Sequence, residues 1–237
     1  MSKALYLNDC YLKEFEATVT SIKDDKFIVL DKTAFYPNAG GQPFDTGKII
    51  RQSDNKEFPV VFVGKFGDNI SHEVSVPGLK EGDKIKGVID WDRRYTHMKM
   101  HTAAHILSRI LFIVAEANTS GNQLGEEKSR IDFTLDTLDR DKIQGWFDKV
   151  NLIISKNIPV KIEEISREEA QKTFTGPSLH LMANIPILRV INIEQIDIQS
   201  CGGTHIKNTG EIGKIELVKC TNKGKNNRRI YYKLSDK

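Results

Sequence analysis

The sequence predicts an α+β chain in which a small antiparallel β-barrel precedes a domain of helices packed on an antiparallel sheet. Three observations carry this. Residues 1–92 hold short alternating runs between regularly spaced turn signals, with no helix of convincing length. A long run with helical spacing begins near Arg94. The remainder then mixes amphipathic helical periods with alternating strands, and no internal repeat or low-complexity linker interrupts it.

In order, residues 16–22, 26–30, 46–51, 57–63 and 84–90 read as strands, punctuated by D-D, N-A-G-G, S-D-N, F-G-D-N and P-G. From 94 to 117 the apolar set Met100, Ala103, Ala104, Leu107, Ile110, Leu111 and Val114 falls at helical intervals, with His101 and His105 among it. Residues 118–127 read as loop and 130–135 as a strand. A second amphipathic helix covers 139–156 through Ile143, Trp146, Phe147, Val150, Ile153 and Ile154, and Asn157 and Pro159 end it. Residues 159–165 alternate as a strand, and Ser166 with Glu169 has the form of a capping box that opens a short helix. Residues 187–193, 213–219 and 229–234 complete the strands. The expected division is a barrel over 1–92 and an α+β domain over 93–237.

A chain of 237 residues buries a hydrophobic core without help from a metal. Its net charge of +3 is too mild by itself to announce a polyanion partner. The distribution says more: residues 201–237 hold nine basic and three acidic side chains, densest in K-G-K-N-N-R-R from Lys223 to Arg229. That run suits phosphate as well as it suits a solvated loop. Cys10, Cys201 and Cys220 lack disulfide spacing, no signal-like apolar run opens the chain and no apolar stretch is of membrane-spanning length. The expectation is a cytoplasmic protein with no membrane association.

Two pairs of soft donors stand out: His101 and His105 in M-H-T-A-A-H-I-L, and Cys201 and His205 in S-C-G-G-T-H-I. On a helix the i, i+4 spacing puts both imidazoles on one face, a turn apart. The second pair flanks two glycines, where the backbone folds tightly enough to bring thiolate and imidazole together. Three nitrogens and one sulfur suit tetrahedral Zn2+ and not calcium or magnesium, which take oxygen. Peptidase helices of the H-E-x-x-H type carry a glutamate beside the first histidine, whereas this chain has Thr102. Four protein donors fit a closed structural site, and release of Cys201 or His205 from its flexible turn would open it for catalysis.

These residues resemble a known family. H-T-A-A-H at 101–105, C-G-G-T-H at 201–205, T-G-E-I-G at 209–213 and N-N-R-R-I-Y at 226–231 are similar to the signature of alanyl-tRNA editing proteins, the AlaX family. F-Y-P-N-A-G-G-Q-P-F-D-T-G at 35–47 is similar to the glycine-rich motif of the medium-length class, which carries a small barrel before the editing core. One departure is Asn38-Ala39 ahead of Gly40-Gly41, where relatives often carry a further glycine. The resemblance implies hydrolysis, in trans, of the ester joining serine, or glycine, to tRNA(Ala), and implies Zn2+ held by His101, His105, Cys201 and His205. The related domain of threonyl-tRNA synthetase implies threonyl-type editing as an alternative, although C-G-G-T-H fits the alanyl type better.

Serine exceeds alanine by one hydroxyl, so a pocket sized for a methyl group cannot strongly refuse it and a second, hydroxyl-reading sieve is needed. Candidates for that contact are Thr102 beside the ligand pair and Ser120, Asn122 and Gln123 in S-G-N-Q. Gly40 and Gly41 are candidates for close approach to the substrate, or simple turn residues of the barrel. No general base stands out. A zinc-stabilised RNA-binding module without chemistry is the competing reading, and only a deacylase releases free serine.

Overall fold

In a computed structural model, residues 2–137, 139–173 and 186–235 are described. Asp236 and Lys237, two of the charged side chains near the carboxyl end, lie outside them. The chain divides into two compact units, Met1–His97 and Met98–Lys237.

The first unit opens with β1 (Lys3–Ala4) and continues through β2 (Glu14–Lys23), β3 (Phe27–Leu30), β4 (Lys32–Thr33), β5 (Gly47–Arg51), β6 (Glu57–Phe66), β7 (Asn69–Val74) and β8 (Lys84–Ile89). Six of these close an antiparallel barrel in the order β2-β3-β7-β6-β5-β8. β1 and β4 form a separate parallel pair. Inward positions alternate along each strand, so Ile28, Leu30, Ile49, Phe58, Val63 and Ile85 are fully buried in one core.

β7 escapes a reading by hydrophobic alternation because its central inward residue is His72 rather than an apolar one. The barrel accommodates the ring by satisfying both nitrogens. His72 Nδ1 donates to the Ile28 carbonyl at 2.9 Å, and Nε2 accepts from the Thr33 hydroxyl at 2.8 Å. Burial outweighs the Ile28 carbonyl's preference for the charged form and lowers the His72 pKa to about 4.

Two glycine-dependent features shape the 35–47 segment. Gly40 and Gly41 have φ of 57° and 81°, and Ala39 and Gln42 exchange backbone hydrogen bonds across them. Positive φ at both central residues of a two-residue loop is what a type I′ turn demands. Gly47 has φ of 151°, and a Cβ there would stand 2.2 Å from the Val88 carbonyl oxygen.

Arg94 is fully buried in this unit. Its guanidinium meets Asp45 through Nε at 2.9 and 3.0 Å and through Nη2, and Nη1 donates to the Cys10 carbonyl at 3.0 Å. Asp45, also fully buried, accepts the Tyr36 backbone N–H at 2.6 Å. Each charge therefore has its counter-charge and its hydrogen bonds.

Helix α1 (Trp91–Ala115) starts in the first unit and ends in the second. The second unit continues with β9 (Thr119–Gln123), β10 (Ser129–Phe133), α2 (Arg140–Ser155), β11 (Val160–Ser166), α3 (Arg167–Thr173), β12 (Ile187–Ile193), β13 (Asp197–Ser200), β14 (Ile215–Asn222) and β15 (Arg228–Leu234). The strands form two antiparallel sheets, β14-β15-β10-β9 and β11-β12-β13. The chain is thus α+β, as its patterning predicts. Around His101 and His105 helix α1 is buried on every side, without a break from residue 100 to 107 and with Met100, Ala103, Ala104, Ile106 and Leu107 as its apolar members, and the Tyr232 hydroxyl on β15 donates to the Met100 carbonyl at 2.8 Å.

Asp139 caps α2 by accepting from the N–H groups of Asp141 and Lys142. Asn151 then binds the backbone of Ile215 in both directions, at 3.0 and 2.9 Å, tying α2 to β14. The Ser166 hydroxyl accepts from the Glu169 N–H at the start of α3, as the predicted cap requires.

Residues 118–127, read from the sequence as loop, contain β9. T-S-G-N-Q has no apolar member to alternate, and backbone pairing with β10 alone makes it a strand. β13 escapes in the same way, with Ile198 its one apolar residue.

Removing the Asp45 carboxylate leaves the Arg94 charge buried and uncompensated. Asp45→Ala should cost about 3–5 kcal/mol, measured by urea unfolding followed by circular dichroism; a loss below about 1 kcal/mol would remove this pair as a requirement of the barrel.

Candidate functional site

The i, i+4 spacing on α1 places the His101 and His105 rings 5.2 Å apart, centre to centre. The turn after β13 brings Cys201 and His205 to them. His205 lies 4.4 Å from His101 and 4.7 Å from His105. Cys201 Sγ stands 3.5 Å from His101 Nε2 and 3.4 Å from His205 Nε2. One donor atom from each of the four residues lies within 4.8 Å of all the others.

Local structure explains how the turn reaches α1. Ser200 pairs with Val190, and the Cys201 N–H extends the ladder by one step to the Arg189 carbonyl at 3.3 Å. The Arg189 guanidinium holds the Cys201 carbonyl in turn. Gly203 then folds back so that its N–H donates to Cys201 Sγ at 3.3 Å. The chain thus covers the distance from sulfur to the His205 imidazole in four residues, and a Cβ at Gly202 would meet no atom within 4 Å, so the turn does not depend on a glycine there.

The donor set fits a tetrahedral ion. With Zn–S near 2.3 Å and Zn–N near 2.05 Å, a tetrahedral S···N edge is about 3.6 Å. The observed 3.4 and 3.5 Å match it. The electrostatics agree. Burial pushes the Cys201 thiol up, but His101 and His205 outweigh it and hold the group well below the ordinary thiol value, as a thiolate. Burial, together with the nearby His101, holds His205 well below the usual imidazole value and therefore neutral. Thiolate and neutral imidazole are the forms that ligate a metal.

Two residues behind the cluster aim its rings. The Thr102 hydroxyl lies 3.0 Å from the Met98 carbonyl and 3.0 Å from His205 Nδ1. A hydroxyl carries one proton. With that proton on Met98, Thr102 accepts from His205 Nδ1–H, which leaves Nε2 bare toward the cluster. Asp197 Oδ2 lies 3.4 Å from His105 Nδ1, an ionic contact longer than a well-formed hydrogen bond. Burial lowers the His105 pKa, but the carboxylate of Asp197 and the thiolate of Cys201 outweigh burial and raise it to about 9. At neutral pH His105 is therefore an imidazolium here, with hydrogen on both nitrogens; a metal ion would take the place of the Nε2 proton, while Asp197 would keep the one on Nδ1.

The other sequence candidates lie as follows. Ser120, Asn122 and Gln123 are on β9, which Thr119 ties to α1 by a 3.0 Å bond to Ser108. The Ser120 hydroxyl meets Asn227 at 3.4 Å, and Gln123 accepts from Arg130 at 3.2 Å. Asn122 pairs with Ile131, whose side chain is buried, so it projects from the helix-covered side of the sheet. Gly40 and Gly41 form a turn in the barrel unit. Sequence reasoning misses Asp197. Its signal, a carboxylate four residues ahead of Cys201, is recognisable only once β13 is known to run beside α1.

Replacing a residue that aims a ligand weakens metal binding by roughly 10–100-fold. Asp197→Ala should therefore lower Zn2+ affinity in a competition titration against a chromogenic chelator, with Asp197→Asn retaining more of it. Equal affinities in all three proteins would deny Asp197 this role.

Comparisons with known proteins bear on the whole chain. Residues 188–231 match the family model "Threonyl and Alanyl tRNA synthetase second additional domain", and residues 4–93 match "tRNA synthetases class II (A)". The alanyl-tRNA editing protein AlaX-M of Methanosarcina acetivorans is 49% identical over the full length of both chains. The AlaX-M of Saccharolobus solfataricus is 40% identical over 98% of each. The alanine–tRNA ligase of Pyrococcus furiosus is 38% identical over 92% of this chain, which spans 24% of that larger protein. With two full-length relatives of that name, and a ligase that carries a matching portion, the chain belongs to the AlaX-M family of alanyl-tRNA editing proteins.

Proposed function

We propose that the protein is an aminoacyl-tRNA deacylase that removes serine, and secondarily glycine, from mischarged tRNA(Ala) in the cytoplasm. The observation that carries this reading is the convergence of His101, His105, Cys201 and His205 within 4.8 Å, in a chain belonging to an alanyl-tRNA editing family. The alanyl names of the full-length relatives favour this substrate over a threonyl-tRNA.

The reaction is ester hydrolysis. Water adds through its oxygen to the acyl carbon, the bond from that carbon to the 3′ oxygen of the terminal ribose breaks, and the 3′ oxygen takes up a proton. The four donors would hold Zn2+, which would supply Lewis-acid polarisation once Cys201 or His205 gave up its place, because four protein ligands fill a tetrahedral ion. The chain's own residues do the rest. Thr102 fixes the His205 tautomer and Asp197 fixes that of His105. The three imidazoles are buried and Cys201 is the one partly exposed residue of the four, so substrate approaches the cluster beside the turn that carries it.

Thr102, with its hydroxyl engaged by Met98 and His205, is a positioning residue in this scheme. Reading of the serine hydroxyl falls to Asn122, which projects from the helix-covered side of β9. An amide whose partner is missing when alanine occupies the site penalises the cognate ester, and buried hydrogen-bond readout of this kind discriminates by about 10⁴–10⁵.

Purified protein should release free serine from Ser-tRNA(Ala) and leave Ala-tRNA(Ala) intact, measured by loss of acid-precipitable labelled ester. Cys201→Ala should lose both bound zinc and turnover; full turnover without zinc would take the metal out of the chemistry, and intact ester in every wild-type reaction would leave only an RNA-binding module. Asn122→Ala should retain zinc while kcat/KM for the seryl ester falls by about 10-fold or more, the scale of one lost hydrogen bond in a discriminating site. An unchanged ratio of seryl to alanyl turnover would move that contact elsewhere.

A further inference from the structure

The β14-β15-β10-β9 sheet has two faces. The inner one carries Ile131, Ile230 and Tyr232, all buried. On the outer face, cross-strand register aligns Gln123, Arg130, Tyr231 and Lys219 in a single row spanning all four strands. The next row holds Gly121, Asp132, Arg229 and Thr221. Lys219 is exposed and Tyr231 half-buried, so neither belongs to the core on the opposite face.

The charges on this face are ordered. Arg229 grips Asp132 in a two-point pair at 2.7 and 2.9 Å, and Arg130 meets the same carboxylate at 3.2 Å. One anion thus anchors two guanidinium groups and leaves the trio a net positive charge. Lys219 holds its ammonium 4.8 Å from the Tyr231 ring centre. Lys223 is exposed at the adjoining end of β14.

We propose that this outer face is a surface on which the tRNA is held away from its reacting 3′ terminus, with phosphates contacting Lys219, Lys223 and the Arg130–Arg229 pair and an unpaired base stacking on Tyr231. The partner is identified by charge and shape. A twisted sheet presenting one aromatic ring among ordered cations matches a polyanion with exposed base faces. An apolar protein surface would find no complement here. The choice of tRNA as partner rests on the proposed function, and the surface itself requires none of that chemistry.

The test uses full-length protein and uncharged tRNA(Ala), with affinity read by fluorescence anisotropy across a salt series. Lys219→Gln with Lys223→Gln should weaken binding and reduce the slope of log K against log salt by about 1.4–1.8, the contribution of two phosphate contacts. Tyr231→Leu should weaken binding by about 5-fold or more, the lower range for one stacked base, with the slope unchanged. Circular dichroism and the thermal midpoint report that each variant retains its fold. Wild-type affinity and slope in the two folded variants would overturn the proposal. Should those variants bind as wild type while the wild type releases serine, the surface is wrong and the deacylase stands. Weakened variants beside a wild type that releases no serine would leave the surface standing and the deacylase wrong.

Discussion

The structure of the second unit depends on one constraint: three imidazoles and a thiol must occupy a buried volume a few ångströms across. Three cations could not be held there. The Cys201 thiolate and the Asp197 carboxylate supply the negative charge that the fold can tolerate in low dielectric, and His205 is kept neutral. The partners come from positions 100 residues apart in the chain, so both the helix and the turn must be rigid before the cluster exists. Burial of α1 on every side through residues 100–107 and extension of the β12–β13 ladder to Cys201 provide that rigidity.

What the sequence can reveal follows from which forces are local. The helical face of α1 is legible because Ala103, Leu107 and Leu111 recur at the period that burial requires. The four donors are legible because ligand chemistry is carried by residue type and by spacings of four. The strands of the barrel are legible wherever alternation is apolar. β7 is hidden by His72, a polar residue at an inward position that only its two hydrogen bonds explain. β9 and β13 are hidden because an edge strand held by backbone pairing needs no hydrophobic pattern.

The supporting residues are hidden for a related reason. The sequence marks Thr102 as a possible substrate contact, because a threonine beside a ligand advertises a free hydroxyl. In the structure that hydroxyl lies between the Met98 carbonyl and His205, a partner 103 positions away that no local pattern announces. Asp197 has the same character. A donor set that could hold a metal can be read from residue types, whereas the groups that contact it from behind are read only from tertiary neighbours.

β15 joins the two faces of its sheet. Its residues alternate between a face that fixes α1, through Tyr232 on the Met100 carbonyl, and a face that carries Arg229 and Tyr231. A slip of one residue in its pairing would exchange the two sets, turning Tyr231 inward and Tyr232 to solvent. Such a slip would unseat the carbonyl one residue before His101 and dismantle the cationic rows in the same step. The Arg229–Asp132 pair and the β14–β15 register oppose it from either side of the strand. Ligand geometry and the outer surface are therefore selected together by one strand's register, which makes that register the most consequential choice the second unit makes in folding.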